Sequence, residues 1–464
     1  MENNSRESFK GTFGFIMAAA GSAVGLGNIW RFPYLAARDG GGLFLLCYIV
    51  LALTFGYTLL TTEIALGRKT AQGPLTAYGA VNKKWGFIGI LASIVPAIIL
   101  PYYCAIGGWV IKYAVDFLTG AAAATAEDGY FTSFITSDVG PIVYMAVFSA
   151  AVAFVVFSGV EKGIEKYSKI LMPVLFVMII GIAVFSLTLK AEDASGQIRS
   201  GLEGLSVFVI PDFTGLTFGH LLSVIRDALG QLFYSISVAM GIMVAYGSYS
   251  RKDTDLMKSI NSIEIFDTLV AFVAGVMIIP AVYVFMGMEG MSAGPGLMFI
   301  SLPKIFKAMG SVGVVIGAIF FVMVLFAAVT SAISISEAIV ARLMDKFKMS
   351  RNKAAIATTV YGLILGIVVC LGYNVLYFDY TLPNGAVGQI LDIMDYVSNN
   401  VMMPIVAICT CILFGWVAGP DYIISEVESG GVKFGRKKLF IVMIKYVAPV
   451  LLALLLLQGI GIIG

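Results

Sequence analysis

The chain has 464 residues, 59% of them hydrophobic and 12% charged, with a formal net charge of +2 and a mean hydropathy of +0.94. A soluble chain is nearer half apolar and a quarter charged, so a soluble enzyme, a disordered protein and a nucleic-acid binder are excluded. What remains is a lipid-embedded molecule, because an apolar run of roughly 20 residues crosses the hydrocarbon core as a helix.

The start, MENNSRESFKGTF, is polar, and the apolar stretch after it is long and lacks a cleavage motif, so no cleaved signal peptide is expected. Apolar segments follow at about 11–37, 42–68, 88–118, 141–158, 167–189, 221–249, 257–288, 314–346, 352–372, 387–418 and 435–461. Those longer than 25 residues imply tilt or extension into water. The connections are short, and the segments near 190–220 and 288–313 are the longest expected outside. The expected fold class is an all-α polytopic membrane protein forming a single transmembrane domain over 1–464. Helices 1–5 occupy about 11–189, helices 6–10 about 221–418, and helix 11 about 435–461.

Two spans read as broken. The first carries GSAVGLGN from Gly21 to Asn28, with three glycines in seven residues. The sixth carries SISVAMG from Ser235 to Gly241, poorer in glycine and rich in hydroxyls. Paired interruptions in corresponding halves point to an inverted-repeat transporter with its site at the breaks. Unwinding inside a membrane frees backbone carbonyls and amides that need partners. A cation satisfies carbonyls, and a carboxylate satisfies amides at a helix start.

Charge sets the orientation. With the N-terminus inside, 21 of the 30 Lys and Arg fall on inner segments and 5 on outer loops. The positive-inside bias therefore predicts a cytoplasmic N-terminus and, with eleven spans, a C-terminus outside. Chemistry that needs titrating clusters is nearly excluded, since His220 is the one histidine. Cys47, Cys104, Cys370, Cys409 and Cys411 lie in apolar runs without metal spacing and read as buried small hydrophobes.

The stretch GSAVGLGNIWRFPY (21–34) with DGGG (39–42) resembles the first helix of the neurotransmitter:sodium symporters. The resemblance continues in order through Tyr102 and Tyr103, EKYSKILMP (165–173), PDF (211–213) and ALGQLFYSISVAMGI (228–242). It runs on through YGSYSRKDTD (246–255), FAAVTSAISI (326–335) and LDIMD (391–395). It implies the LeuT-type fold of two five-helix inverted repeats with discontinuous helices 1 and 6. It also implies sodium-driven import of amino acids or related amines. With about eleven spans, the chain resembles the shorter bacterial branch, which includes hydrophobic and aromatic amino acid transporters.

By that resemblance, one sodium site uses the Ala23 carbonyl, Asn28, Ser235, Asp267 and the substrate carboxylate. The second uses the Gly21, Val24 and Ala327 carbonyls with the Thr330 and Ser331 hydroxyls. The spacing of Ala327, Thr330 and Ser331 puts them on one helix face independently of any relative. The substrate carboxylate is expected at the Leu26 and Gly27 amides and the Tyr103 hydroxyl. The ammonium is expected at the Ala23, Tyr234 and Ser235 carbonyls and the Ser237 hydroxyl. Ile99, Val238, Ala239, Met240, Ser334 and Ile335 are the expected side-chain pocket, with Ala239 standing where the pattern leads to glycine. Arg31 and Asp395, with Gln231 near Arg31 and Tyr234 as lid, match an outer gate. Arg6, Phe9, Ser248, Tyr249 and Asp345 match an inner gate.

Asp267 departs from the asparagine that the resemblance leads to. A carboxylate inside a span is costly and functional by default, and this one can supply the negative charge that chloride supplies in several relatives. No chloride is expected, and two sodium ions are. With Glu63 also ionised, two sodium ions, two carboxylates and a zwitterion sum to zero. Proton or exchange coupling, and an amino acid sensor that moves nothing, stay open as alternatives on the same architecture. Nothing in the sequence fixes the oligomeric state.

Overall fold

In lipid a helix closes its own backbone hydrogen bonds and an open strand does not. The computed structural model, which describes residues 7–192, 196–214, 216–291, 294–429 and 431–463, is accordingly built of helices. Nine are long and apolar enough to cross a membrane among the described residues: Gly42–Thr70, Lys83–Leu118, Gly140–Phe157, Val160–Leu187, Leu256–Met286, Ser311–Phe347, Arg351–Leu371, Ile390–Val417 and Lys437–Gly459. They are spans 2–5 and 7–11. Span 1 is a pair, Thr12–Ala23 and Leu26–Arg38, bent by 63° at its break. Span 6 is also two helices, Phe218–Ser235 and Ile242–Ser248. Its first half carries His220, Arg226, Asp227 and Gln231, which is why apolar length alone underrates it.

Spans 3 and 5 begin earlier than their apolar runs. Their first turns hold Lys83, Lys84, Glu161, Lys162 and Glu165, so the helix continues past the hydrocarbon edge. Both segments expected as long outer loops contain structure. An antiparallel hairpin pairs Lys190–Glu192 with Ile198–Ser200, and a capped helix follows at Gly201–Val209. The 288–313 stretch holds helical residues Leu297–Ala308.

Proline shapes span 3. Pro101 has no N–H, so the Ala97 carbonyl one turn earlier loses its helical donor. The Tyr361 hydroxyl of span 9 donates to that carbonyl at 2.8 Å. Glycine sets another contact. A Cβ on Gly67 of span 2 would stand 2.0 Å from the Val244 carbonyl oxygen, so span 2 and the second half of span 6 meet backbone to backbone.

The first half of span 1 packs against spans 5, 7 and 8, and Ala18, Ala19 and Ala20 are fully buried there. Phe154, Val177, Ile364 and Val450 point outward instead. Such exposed apolar residues are the lipid face of a bundle whose core is also apolar.

Candidate functional site

Span 1 opens at Val24 and Gly25, both extended. Asn28 makes the break stable from within: its side-chain Oδ1 accepts the Gly25 N–H at 3.0 Å. The second half then begins at Leu26, and its first N–H groups have no partners in their own helix. Span 6 opens over 236–241. Ser237, Ala239 and Gly241 there take φ of 54°, 62° and 73°. The Ala239 N–H donates to Oε1 of Glu63 in span 2 at 2.6 Å. The Ser237 hydroxyl donates to the Ser22 carbonyl at 3.0 Å.

A cavity of about 30 Å³ lies between the two breaks. Of the residues expected at the substrate, Ala23, Leu26, Gly27, Ile99, Tyr103, Tyr234, Ser235, Ser237, Met240 and Ile335 line it. Val238, Ala239 and Ser334 do not. They are buried, and the Ser334 hydroxyl is engaged with the Tyr246 hydroxyl at 2.7 Å and the Thr330 carbonyl at 3.0 Å. The Ala239 methyl is therefore not part of the cavity wall, and Ala239 acts through its backbone N–H. Ser22 and Gly25 line the cavity and were missed, although both sit inside the GSAVGLGN break. A Cβ on Gly25 would meet the Ser331 hydroxyl at 3.0 Å and the Tyr103 hydroxyl at 3.3 Å, so glycine keeps this wall open. The Tyr103 hydroxyl is buried without a hydrogen-bond partner among the described residues.

Two oxygen clusters flank the cavity. In the first, Asn28 Nδ2 donates to Ser235 Oγ at 2.9 Å and to Asp267 Oδ1 at 3.0 Å. Ser235 Oγ donates to Asp267 Oδ1 at 2.7 Å, and the Tyr48 hydroxyl approaches Asp267 Oδ2 at 3.3 Å. In the second, Ser331 Oγ stands 3.3 Å from the Gly21 carbonyl and 3.2 Å from those of Ser22 and Val24. One hydroxyl proton cannot serve three acceptors, so this cage keeps spare lone pairs. Thr330 lies beside it, its Cβ 3.2 Å from where a Cβ on Gly21 would be. Its hydroxyl bonds back to the Phe326 and Ala327 carbonyls at 2.9 and 3.1 Å. Carbonyl and hydroxyl oxygens without a carboxylate cluster suit a weakly charged hard cation better than a divalent one. No group of three or more His, Cys, Asp or Glu able to hold a metal occurs among the described residues.

A wider vestibule of about 540 Å³ opens at the far ends of spans 1 and 6, lined in part by Arg31, Tyr234, Asn399 and Gln458. Tyr234 lines both spaces and divides them. Arg31 and Asp395, the expected outer pair, make no direct ion pair among the described residues. Asp395 accepts from Asn399 Nδ2 at 2.6 Å, while the Arg31 guanidinium stands 5.9 Å from the Tyr234 ring. Gln231 is buried and donates to the Gly27 carbonyl at 3.1 Å.

The opposite end is closed. The Phe9 N–H donates to the Tyr249 carbonyl at 3.0 Å, and the Phe9 ring sits edge-on to Tyr246 and Tyr249. Ser248 Oγ donates to the Ala245 carbonyl, and Asp345 accepts the Gly73 N–H, each at 2.5 Å. Arg6 lies outside the described residues. Glu337 and Arg351 were missed: buried Glu337 accepts from the Tyr249 hydroxyl at 2.7 Å and from Arg351 at 2.6 Å. Tyr249, Glu337 and Arg351 come from spans 6, 8 and 9, a meeting that sequence spacing does not reveal.

Comparison with known proteins agrees with this geometry. A family model, the Sodium:neurotransmitter symporter family, matches residues 6–138 and 132–463. An uncharacterized sodium-dependent transporter of Bacillus subtilis is 33% identical over 97% of each chain. Another, from Haemophilus influenzae, is 29% identical over 98% of this chain and 99% of its own. The crystal structure of MhsT in complex with L-phenylalanine superposes with a TM-score of 0.84 at 33% identity, covering 98% of this chain and 100% of that one.

Proposed function

The chain belongs to the sodium:neurotransmitter symporter family, and from that premise we propose that it imports hydrophobic and aromatic L-amino acids by alternating access, driven by sodium. The cavity between the two breaks carries this reading. It joins the starting amides of Leu26 and Gly27, the unpartnered Tyr103 hydroxyl and the apolar side chains of Ile99, Met240 and Ile335. A zwitterion with a large apolar side chain fits that chemistry. Its carboxylate meets the two amides and Tyr103. Its ammonium meets the Ala23, Tyr234 and Ser235 carbonyls and the Ser237 hydroxyl. MhsT was crystallised with L-phenylalanine, which supports the same substrate class here. The cavity is small as it stands, so the substrate enters with movement of Tyr234 and of Met240, whose unbranched side chain adapts its shape.

Two sodium ions travel with the substrate in this reading. One takes the Ala23 carbonyl, Asn28, Ser235 and Asp267. The other takes the Gly21, Val24 and Ala327 carbonyls with Thr330 and Ser331. A tenfold gradient is worth about 1.4 kcal/mol per ion, and 100 mV about 2.3 kcal/mol per charge. Two ions supply roughly 7 kcal/mol, enough for about 10⁵-fold accumulation.

Transport is independent of chloride in this proposal. Asn28, Ser235 and Tyr48 converge on the Asp267 carboxylate, so the donors that would hold an anion already hold one. The protein sits in the plasma (inner) membrane with its N-terminus cytoplasmic and its C-terminus outside.

A thermal-shift screen of L-amino acids with and without sodium tests the substrate class. Stabilisation by phenylalanine or leucine only in sodium is expected. Stabilisation that ignores sodium, or uptake that collapses when gluconate replaces chloride, refutes the corresponding part.

A further inference from the structure

The stretch that enters span 1 is docked on span 5. Glu165, in the first turns of span 5, is buried, and its Oε2 accepts the Lys10 backbone N–H at 2.7 Å. Its Oε1 accepts the Lys169 ammonium, one turn along its own helix. The same side chain lies across Gly14, where a Cβ would come 2.2 Å from Oε1, 2.3 Å from Cδ and 2.4 Å from Cγ. Glu7 makes a second tie: its Oε2 accepts the Val160 N–H at 2.6 Å and lies 3.6 Å from Arg351.

A buried carboxylate is tolerated only where its partners are in place. Lys169 belongs to the same helix and stays with Glu165 whatever span 1 does. The Lys10 N–H and the Gly14 seat exist only while the entering stretch is docked. A contact present in one of two states biases the equilibrium between them.

We infer that Glu165 is a positioning residue for transport, holding the first turn of span 1 on span 5 so that the end away from the vestibule stays closed. Gly14 is the seat that admits it. This inference rests on the transport reading above. The stretch must undock for the cavity to open on that side; in the transport reading the second sodium ties the Gly21 and Val24 carbonyls of the same half of span 1 to Ser331 of span 8, so sodium and Glu165 hold that half-span together.

The test uses the full chain, purified, as Glu165→Ala, Glu165→Gln, Gly14→Ala and the Gly14→Ala/Glu165→Ala double variant. Hydrogen exchange of amides 9–14 and sodium titration of L-phenylalanine binding are measured. In Glu165→Ala these amides exchange about tenfold faster, and half-maximal binding needs about tenfold more sodium. Maximal binding at saturating sodium is unchanged. Glu165→Gln falls between, since its carbonyl oxygen still accepts the Lys10 N–H. Gly14→Ala reproduces Glu165→Ala, and on the Glu165→Ala background it adds nothing, because the atoms it meets are gone. Additive effects, exchange raised evenly over all spans, or an unmoved sodium requirement overturn the inference. A wild type that does not bind L-phenylalanine in sodium sinks the transport reading instead, and exchange at amides 9–14 still decides whether Glu165 holds the stretch.

Discussion

The break in span 1 occupies Val24 and Gly25, whereas the break in span 6 runs over 236–241. The first is held by its own sequence, with Asn28 reaching back three residues to the Gly25 N–H. The second is held from outside. Ser237 and Ala239 adopt left-handed conformations that cost an ordinary residue roughly 1–2 kcal/mol each. Glu63 from span 2 and the Ser22 carbonyl from span 1 fix them there. One break is locally encoded, and the other is imposed by tertiary contacts. The imposed one depends on the encoded one, since Ser22 lies in the last turn before the span 1 break, which leaves its carbonyl without a helical donor.

Removing the local cap is expected to have the largest effect. Asn28→Ala takes away the Gly25 acceptor and two donors, to Ser235 and Asp267. Hydrogen bonds to charged groups contribute about 1.5–3 kcal/mol each. Sodium-dependent uptake should fall at least about 100-fold, measured in proteoliposomes. Near-normal uptake would mean that the break holds without Asn28 and that the two are less different than their geometry implies.

The imposed break is probed through Glu63. Glu63→Ala leaves the Ala239 N–H buried without an acceptor, at a cost of about 1–3 kcal/mol. Glu63→Gln keeps an oxygen in place and should cost less than about 1 kcal/mol. Thermal unfolding of the two variants separates them. Equal losses would assign the role of Glu63 to its charge rather than to the hydrogen bond.

This contrast explains what was legible in the chain. Glycines at 21, 25 and 27 around Asn28 announce a break because their cause is local. The flanking residues Ala327, Thr330 and Ser331 were singled out by the resemblance, and helical spacing independently puts them on one face. At the sixth span, SISVAMG has one glycine at its end, and nothing in the string says that Ala239 takes a positive φ. Resemblance placed Val238, Ala239 and Ser334 in the pocket wall, but in the left-handed stretch it is Ser237 and Met240 that line the cavity, and in span 8 the Ser334 hydroxyl is engaged with Tyr246 and the Thr330 carbonyl instead. The closed end was the least legible part. Glu7, Glu165, Glu337 and Arg351 are widely separated in sequence, and only folding brings them to one place.

Tyr103 sharpens the comparison from the cavity side, because it faces the Gly25 of the locally encoded break. Its hydroxyl is buried and unpartnered among the described residues, so Tyr103→Phe should leave thermal stability of the substrate-free protein unchanged or slightly raised. Substrate affinity should drop about tenfold, the scale of one lost hydrogen bond to a carboxylate. Isothermal titration in saturating sodium reads it. A destabilised substrate-free protein with unchanged affinity would make the hydroxyl structural.

The smallest effect compares one chemical change in two backbones. Ala20 and Ala239 are both fully buried, but Ala20 lies in the helix Thr12–Ala23 while Ala239 has φ of 62°. At Ala20, glycine loses about 1 kcal/mol of helix propensity and about 0.8 kcal/mol for the buried methyl. At Ala239, glycine loses the same methyl and gains unfolded-state freedom, worth about 0.4–1 kcal/mol. It also relieves the left-handed strain of roughly 1–2 kcal/mol. Ala239→Gly should therefore fall within about 0.5 kcal/mol of wild type, and Ala20→Gly roughly 2 kcal/mol below it. Chemical denaturation in detergent measures both. Because the methyl term cancels between the two sites, the gap between them reports the strain that Glu63 holds in place, and a gap of zero would mean that the sixth break relaxes without it.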